Sequence, residues 1–139
     1  MTKKIEQTYY ERNKEKVLQK KRERYEKNKD KIIAGQLEKY RQLRHILNDW
    51  RKSLSCEVCG ENDEVCLDFH HCESDDKVSN VGSIVNQGAK AVIRELKKCV
   101  VVCCNCHRKI HAYDLKTTPN ISLSEEFEKF YNDFIKSVK

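Results

Sequence analysis

Four glycines and a single proline serve 139 residues, so the chain has little material for tight turns. That scarcity argues against a turn-rich β sandwich or barrel and for long helices. No apolar run approaches the length of a membrane-spanning helix. The lysine-rich start lacks the apolar stretch of a signal peptide, so the chain is read as intracellular, with no membrane partner. Hydrophobic residues are 38% and charged residues 36%, which limits the core to at most one small compact domain with an extension.

Cysteine is abundant instead, with eight residues. In a reducing compartment their spacing points to metal rather than to disulfides. Cys56 and Cys59 form one C-x-x-C clip, and Cys103 and Cys106 form a second. Zinc takes four soft or borderline ligands in a tetrahedron, and two clips supply four thiolates. Closing the long loop between them with a metal supports a domain too small to rely on its core. Cys99 or Cys104 replacing one member is the alternative. The remaining cysteines, Cys66 and Cys72 among them, are expected to pack as small hydrophobes.

Histidines bracket the same region. His70 and His71 end an alternating run, Val65-Cys66-Leu67-Asp68-Phe69-His70, which reads as a strand ending at His71. Val65, Leu67 and Phe69 would share one face, and Cys66, Asp68 and His70 the other. Val100-Val101-Val102 reads as a short buried strand, and residues 105–114 as a helix that places His107 and His111 on one face. Two clips around a histidine pair, followed by H-x-x-x-H, imply one structural and one chemical metal site.

The charge is uneven. Residues 1–52 carry 17 Lys+Arg against 8 Asp+Glu, a net of +9, whereas residues 53–139 carry 11 against 14, a net of −3. A polyanion-binding arm on a nearly neutral domain fits that asymmetry. The arm repeats: Tyr10-Glu-Arg-Asn-Lys-Glu-Lys-Val17 recurs 15 residues later as Tyr25-Glu-Lys-Asn-Lys-Asp-Lys-Ile32, and Tyr40 starts a third, degenerate copy. Residues 4–33 are expected to be helical, with interruptions near Asn13 and Asn28. Arg12, Lys16, Lys20, Arg24, Lys27 and Lys31 are the candidate nucleic-acid contacts. A solvated charged helix or a weak coiled coil would give the same pattern.

Gly35 is read as a break. Leu37, Tyr40, Leu43, Leu47 and Trp50 then follow helical spacing, so residues 36–54 should dock on the globular part. Trp50 is expected in the core rather than stacked on a base, and His45 at the surface or in packing. Residues 88–98 read as a helix with a Val92, Ile93, Leu96 stripe. A linker near Thr117-Thr118-Pro119-Asn120 precedes a capping box, Ser122-Leu-Ser-Glu125. An amphipathic packing helix then carries Phe127, Phe130, Tyr131, Phe134, Ile135 and Val138.

A strand with His-His, a second strand and a helix with C-x-x-C-H-x-x-x-H resembles the HNH endonucleases over residues 56–113, including their zinc-supported phage and bacterial branch. The resemblance implies a small ββα-metal domain with a structural zinc; with the long basic N-terminal helical arm and the C-terminal amphipathic helix read above, the chain is expected to be α+β and mostly helical. The domains become 1–54 for the arm and docking helix, 55–116 for the nuclease, and 117–139 for the linker and last helix. It implies metal-dependent hydrolysis of phosphodiesters in double-stranded DNA, by nicking or double cutting, in the cytoplasm, with a phage gene in a bacterial host as one source.

By the same resemblance His71 is the general base, and His70, His107 and His111 hold a catalytic Mg²⁺, Mn²⁺ or softer divalent ion. Histidine titrates near neutrality, which suits a base. One departure stands out: the residue where the family carries its middle Asn is Lys98 here. Asn80 and Asn86 are displaced, and Asn105 is the nearest candidate to orient His71. Asp68, on the strand face of His70, is a candidate to support the metal ligands. The rival readings are a catalytically silent zinc module that binds DNA, and an RNA-directed nuclease or binding protein.

Overall fold

The computed structural model describes residues 8–73 and 78–137. Residues 4–7 of the expected first helix, and Val138 of the last, lie outside the described residues. The chain is a mostly helical α+β protein with five helices and one two-stranded sheet among the described residues. It divides into two compact units, residues 1–37 and 38–139. No helix among the described residues is long and apolar enough to cross a membrane.

Helix α1 runs Tyr9–Arg51. Thr8 and Glu11 start it with a reciprocal cap: Thr8 Oγ1 accepts from Glu11 N–H at 3.3 Å, and Glu11 Oε2 accepts from Thr8 N–H at 2.7 Å. Asn13 departs from helical geometry (φ −119°, ψ 15°), as its short amide side chain suggests, and donates to Tyr9 O at 3.0 Å. Asn28 makes the same bond to Arg24 O at 2.8 Å, yet the helix passes through it. Gly35 does not end the helix either. One glycine costs about 1 kcal/mol relative to alanine, and it sits among strong helix formers.

In the unit 38–139, the last turns of α1 bury Leu43, Ile46, Leu47 and Trp50. Trp50 is a core residue, as expected: it stacks on Phe69 at 6.0 Å and tilts against Phe127 at 5.0 Å. His45 stays on the surface and meets Asp49 at 3.2 Å. Arg51 lays its guanidinium 5.9 Å from the Phe69 ring centre and donates to Glu64 O at 2.9 Å and to Leu67 O, tying α1 to the first strand.

Strand β1, Leu67–His71, pairs antiparallel with β2, Cys99–Cys103, with Leu67 opposite Cys103 and His71 opposite Cys99. All five β2 residues are buried, as a continuous apolar run implies. β1 starts later than the alternation suggests. Asp63 Oδ1 accepts from Val65 N–H at 3.1 Å and winds Glu64–Cys66 into a 3₁₀ turn, leaving Val65 exposed. A local side-chain cap thus overrides the apolar alternation.

Between the strands lie α2 (Val81–Ile84) and α3 (Ala89–Leu96). Gly88, at φ 92°, makes the turn into α3, a backbone state that costs glycine little. Val92 and Leu96 are fully buried, but Glu95 is fully buried beside them. Helix α4, Cys104–Ala112, follows β2 directly, and the Cys103 sulfur caps it by accepting from Cys106 N–H at 3.4 Å. Asp114, at φ 48°, closes α4 as Leu115 N–H reaches Ile110 O at 2.9 Å. Helix α5, Ser122–Ser137, packs on α3 and buries Leu123 and Phe127. Its cap comes from Asn120, whose Oδ1 accepts from Ser122 N–H at 3.1 Å. Ser122 Oγ is engaged with Asn120 and Glu126 instead of the expected Ser122–Glu125 box.

Candidate metal centres and the adjoining cleft

The first C-x-x-C clip sits in a tight turn after α1. Cys56 N–H bonds Glu61 O at 2.7 Å, Gly60 N–H bonds Cys56 O at 2.8 Å, and Gly60 takes φ 80°. Glu57 N–H bonds Val101 O at 3.0 Å, which holds that turn against β2. The second clip spans the end of β2 and the first turn of α4. The four sulfurs of Cys56, Cys59, Cys103 and Cys106 lie within 4.8 Å of one another. Cys59 and Cys103 are 3.6 Å apart. Zinc–sulfur bonds of about 2.3 Å in a tetrahedron separate neighbouring sulfurs by about 3.8 Å. None of the eight cysteines forms a disulfide.

The electrostatics of the four thiols point the same way. Burial raises the Cys56 thiol, but the N–H groups of Cys103, Cys59 and Val58, with the Cys59 side chain, bring it down to about 6. Cys106 is pushed up to about 12 by burial and by the sulfurs of Cys103, Cys59 and Cys56. Four thiolates at this spacing repel one another, and a divalent cation is the partner that lets all four ionise. Cys99 and Cys104 are not part of the cluster: Cys99 is buried with its sulfur on Glu95 O at 3.4 Å, and Cys104 is half-buried. Cys72 packs against the core, while Cys66 is half-exposed in the 3₁₀ turn.

The second cluster joins β1 to α4. His70 is buried on β1 opposite Val100, and His107 and His111 stand one turn apart on α4. One ring nitrogen from each lies within 4.8 Å of the others. The Nε2 atoms of His107 and His111 are 3.2 Å apart, between the roughly 2.9 Å and 3.4 Å that right-angle and tetrahedral binding at about 2.05 Å require. Asp68 Oδ2 meets His107 Nδ1 at 3.1 Å. A carboxylate there holds the proton on Nδ1 and turns the Nε2 lone pair toward the other two histidines, the usual support of a metal-bound imidazole. The donor set therefore fits a divalent ion, and three imidazoles suit a transition metal better than Mg²⁺.

His71 points to a different partner. Its Nε2 lies 2.8 Å from Oε1 of Glu95, with the His71 side chain 6% and the Glu95 side chain 0% exposed. The same oxygen accepts from Val78 N–H at 3.0 Å and Ser79 N–H at 3.4 Å, and Lys98 Nζ reaches Oε2 at 3.3 Å. Burial pushes the Glu95 carboxyl up, but Val78, Ser79, His71 and Lys98 together hold it below its ordinary value. It is a buried carboxylate, stabilised by its donors.

Asn105, the expected orienting residue, is exposed on α4, and it is the Glu95 carboxylate that accepts from His71 Nε2. Sequence reasoning missed Glu95. The available signal was a carboxylate next to the Val92–Leu96 stripe of a short helix.

His70, His71, His111, Glu73, Asp114 and Lys116 line a cleft of about 440 Å³. Two members of the histidine cluster, His70 and His111, thus border one space with His71. In the unit 1–37, Arg12, Lys16, Lys20, Arg24, Lys27 and Lys31 are all exposed, at helical steps of three and four. Arg24 and Lys31 border a shallow groove with Lys21, Tyr25, Asn28 and Ile32.

Two antiparallel strands and a following helix that carry a three-histidine cluster and half of a four-cysteine cluster, completed by the turn at Cys56 and Cys59, make a ββα-metal-like arrangement. No family model, curated protein or solved structure matches this chain.

Proposed function

We propose that the chain is a metal-dependent endonuclease of the HNH kind that hydrolyses phosphodiester bonds in DNA. The observation that carries this reading is the convergence of His70, His107 and His111 into one cluster, two members of which, His70 and His111, line the same cleft as His71. The four thiolates would hold a structural zinc that keeps the first clip against β2 and α4. The three imidazoles would hold a catalytic divalent ion, Mn²⁺ in preference to Mg²⁺ by their softness. Such an ion, when bound, neutralises charge on the scissile phosphate and on the departing 3′ oxygen.

The chain's own contribution starts with His71. Its Nε2 faces a carboxylate, so Nε2 carries the proton and, in the neutral ring, Nδ1 carries the lone pair. Nδ1 takes a proton from a water. The water oxygen bonds to phosphorus as the bond to the 3′ oxygen breaks, and solvent reprotonates that oxygen. Asp68 keeps His107 in the ligand tautomer throughout. Lys116 on the cleft wall adds positive charge where the phosphate would lie. The exposed basic face of the arm supplies phosphate contacts that position DNA without reading its sequence.

The test is relaxation of supercoiled plasmid with Mn²⁺ or Mg²⁺, by wild type and by a His71→Ala variant. Cleavage that needs the metal and His71 supports the reading. Lys98, in place of the family's Asn, favours a second one: a zinc module that binds DNA without cutting it. Metal-loaded protein that shifts DNA yet leaves plasmid intact would establish that second reading. Competition between duplex DNA and RNA decides the polymer.

A further inference from the structure

We infer that Glu95 is the positioning residue of His71. It fixes the ring and its tautomer through a carboxylate that is itself anchored by Lys98 and by the backbone of residues 78 and 79. The inference deepens the proposed hydrolytic role of His71 and rests on it for its kinetic arm. Its structural arm stands alone.

Three observations carry it. Glu95 is fully buried, a position that carboxylates rarely occupy without a specific partner. Its Oε1 gathers His71 Nε2, Val78 N–H and Ser79 N–H, and its Oε2 takes Lys98 Nζ. All four partners meet an oxygen that can only accept, so His71 must present Nε2–H to it. The two backbone donors come from a different segment than α3, so the carboxylate also ties the chain at 78–79 to the histidine. Lys98 is one helical turn beyond Glu95 and neutralises it, which makes the buried charge sustainable. A ring held this way loses no time in the wrong tautomer or rotamer when a proton is to be taken.

The experiment uses the full chain loaded with zinc, as wild type, Glu95→Gln and Glu95→Asp. Ring nitrogens are read by long-range ¹H–¹⁵N NMR of ¹⁵N-histidine protein. Cleavage of plasmid with Mn²⁺ is resolved into kcat and KM. Glutamine keeps an oxygen for the Val78 and Ser79 amides, so His71 should retain Nε2–H, with its proton resonance shifted by loss of the charged acceptor. Aspartate is one carbon shorter and withdraws from the ring, so His71 should populate both tautomers.

Expected kcat losses are about tenfold for glutamine and up to about a hundredfold for aspartate, with KM, zinc content and Mn²⁺ affinity retained. Those losses do not exceed the lower end of the roughly 10²–10⁴ that follows removal of a general base. An unmoved His71 resonance in Glu95→Gln, or a single Nε2–H tautomer in a folded Glu95→Asp, overturns the inference. Should the aspartate variant lose its zinc, the glutamine resonance decides. Wild type that shows the Nε2–H tautomer but never cuts plasmid overturns the nuclease reading and leaves the positioning of His71 standing.

Discussion

Cys59 and Cys103 stand 44 residues apart in the chain, and their sulfurs stand 3.6 Å apart in space. Nothing but a shared ligand or a hydrogen bond accounts for that approach, since the distance is far beyond a disulfide's. The contact closes the loop that contains β1, α2, α3 and β2, and so encloses the whole His71–Glu95 assembly.

Removal of this tie should be severe. Cys59 is exposed, so Cys59→Ser removes a ligand without opening a core cavity. Structural zinc contributes on the order of 10 kcal/mol or more of apparent folding free energy. The variant should hold less zinc per chain and lose its cooperative thermal transition, or melt far below wild type. Zinc analysis with circular dichroism checks this; a zinc-free chain with the wild-type melting temperature would rule out the four-thiolate site.

His71→Ala should abolish plasmid cleavage, a loss of about 10²–10⁴ or more, with zinc content and DNA affinity unchanged. His71 is outside both clusters, so its removal leaves the ligand sets whole. Parallel cleavage and gel-shift assays check it. A variant that cuts at the wild-type rate would eliminate His71 as the base.

Asp68→Asn should weaken Mn²⁺ binding at the histidine cluster by about 10–100-fold. The amide can turn its NH₂ toward His107 Nδ1 and so favour the wrong tautomer. Asp68 is exposed, so the fold should be unaffected. Calorimetric titration of zinc-loaded protein with Mn²⁺ reads the effect, and equal affinities would dismiss the Asp68–His107 contact as support for a metal.

The basic arm should set the salt dependence. Each neutralised phosphate adds roughly 0.9 to the slope of log affinity against log salt on duplex DNA. Deleting residues 1–37 removes one compact unit whole. Binding should weaken on every sequence and the slope should flatten, while cutting persists at high protein concentration. An unchanged slope would make the arm a solvated or oligomerising helix.

Phe127→Ala should destabilise the unit 38–139 by about 3–5 kcal/mol, because Phe127 is fully buried against Trp50. Chemical denaturation at constant zinc loading measures it. A loss under about 1 kcal/mol would mean that α5 contributes little to the core.

The sequence by itself determined what depends on neighbours along the chain. The C-x-x-C clips, the i, i+4 spacing of His107 and His111, the apolar run of β2 and the stripe that buries Trp50 are short-range patterns, and each survives folding with its geometry intact. Local expectations failed where a competing local term was stronger. Asp63 turned Val65 and Cys66 out of β1, Asn120 displaced Ser122 as the cap of α5, and one glycine was too weak to end α1. Only the tertiary structure decided which distant side chains meet. Asp68 reaches His107 across 39 residues, and Glu95 reaches His71 across 24. A carboxylate in a sequence looks the same whether solvent or an imidazole surrounds it. Burial of Glu95 on the inner face of α3, with four donors converging on it, separates the two cases, and that convergence exists only once β1, β2 and α3 are packed together.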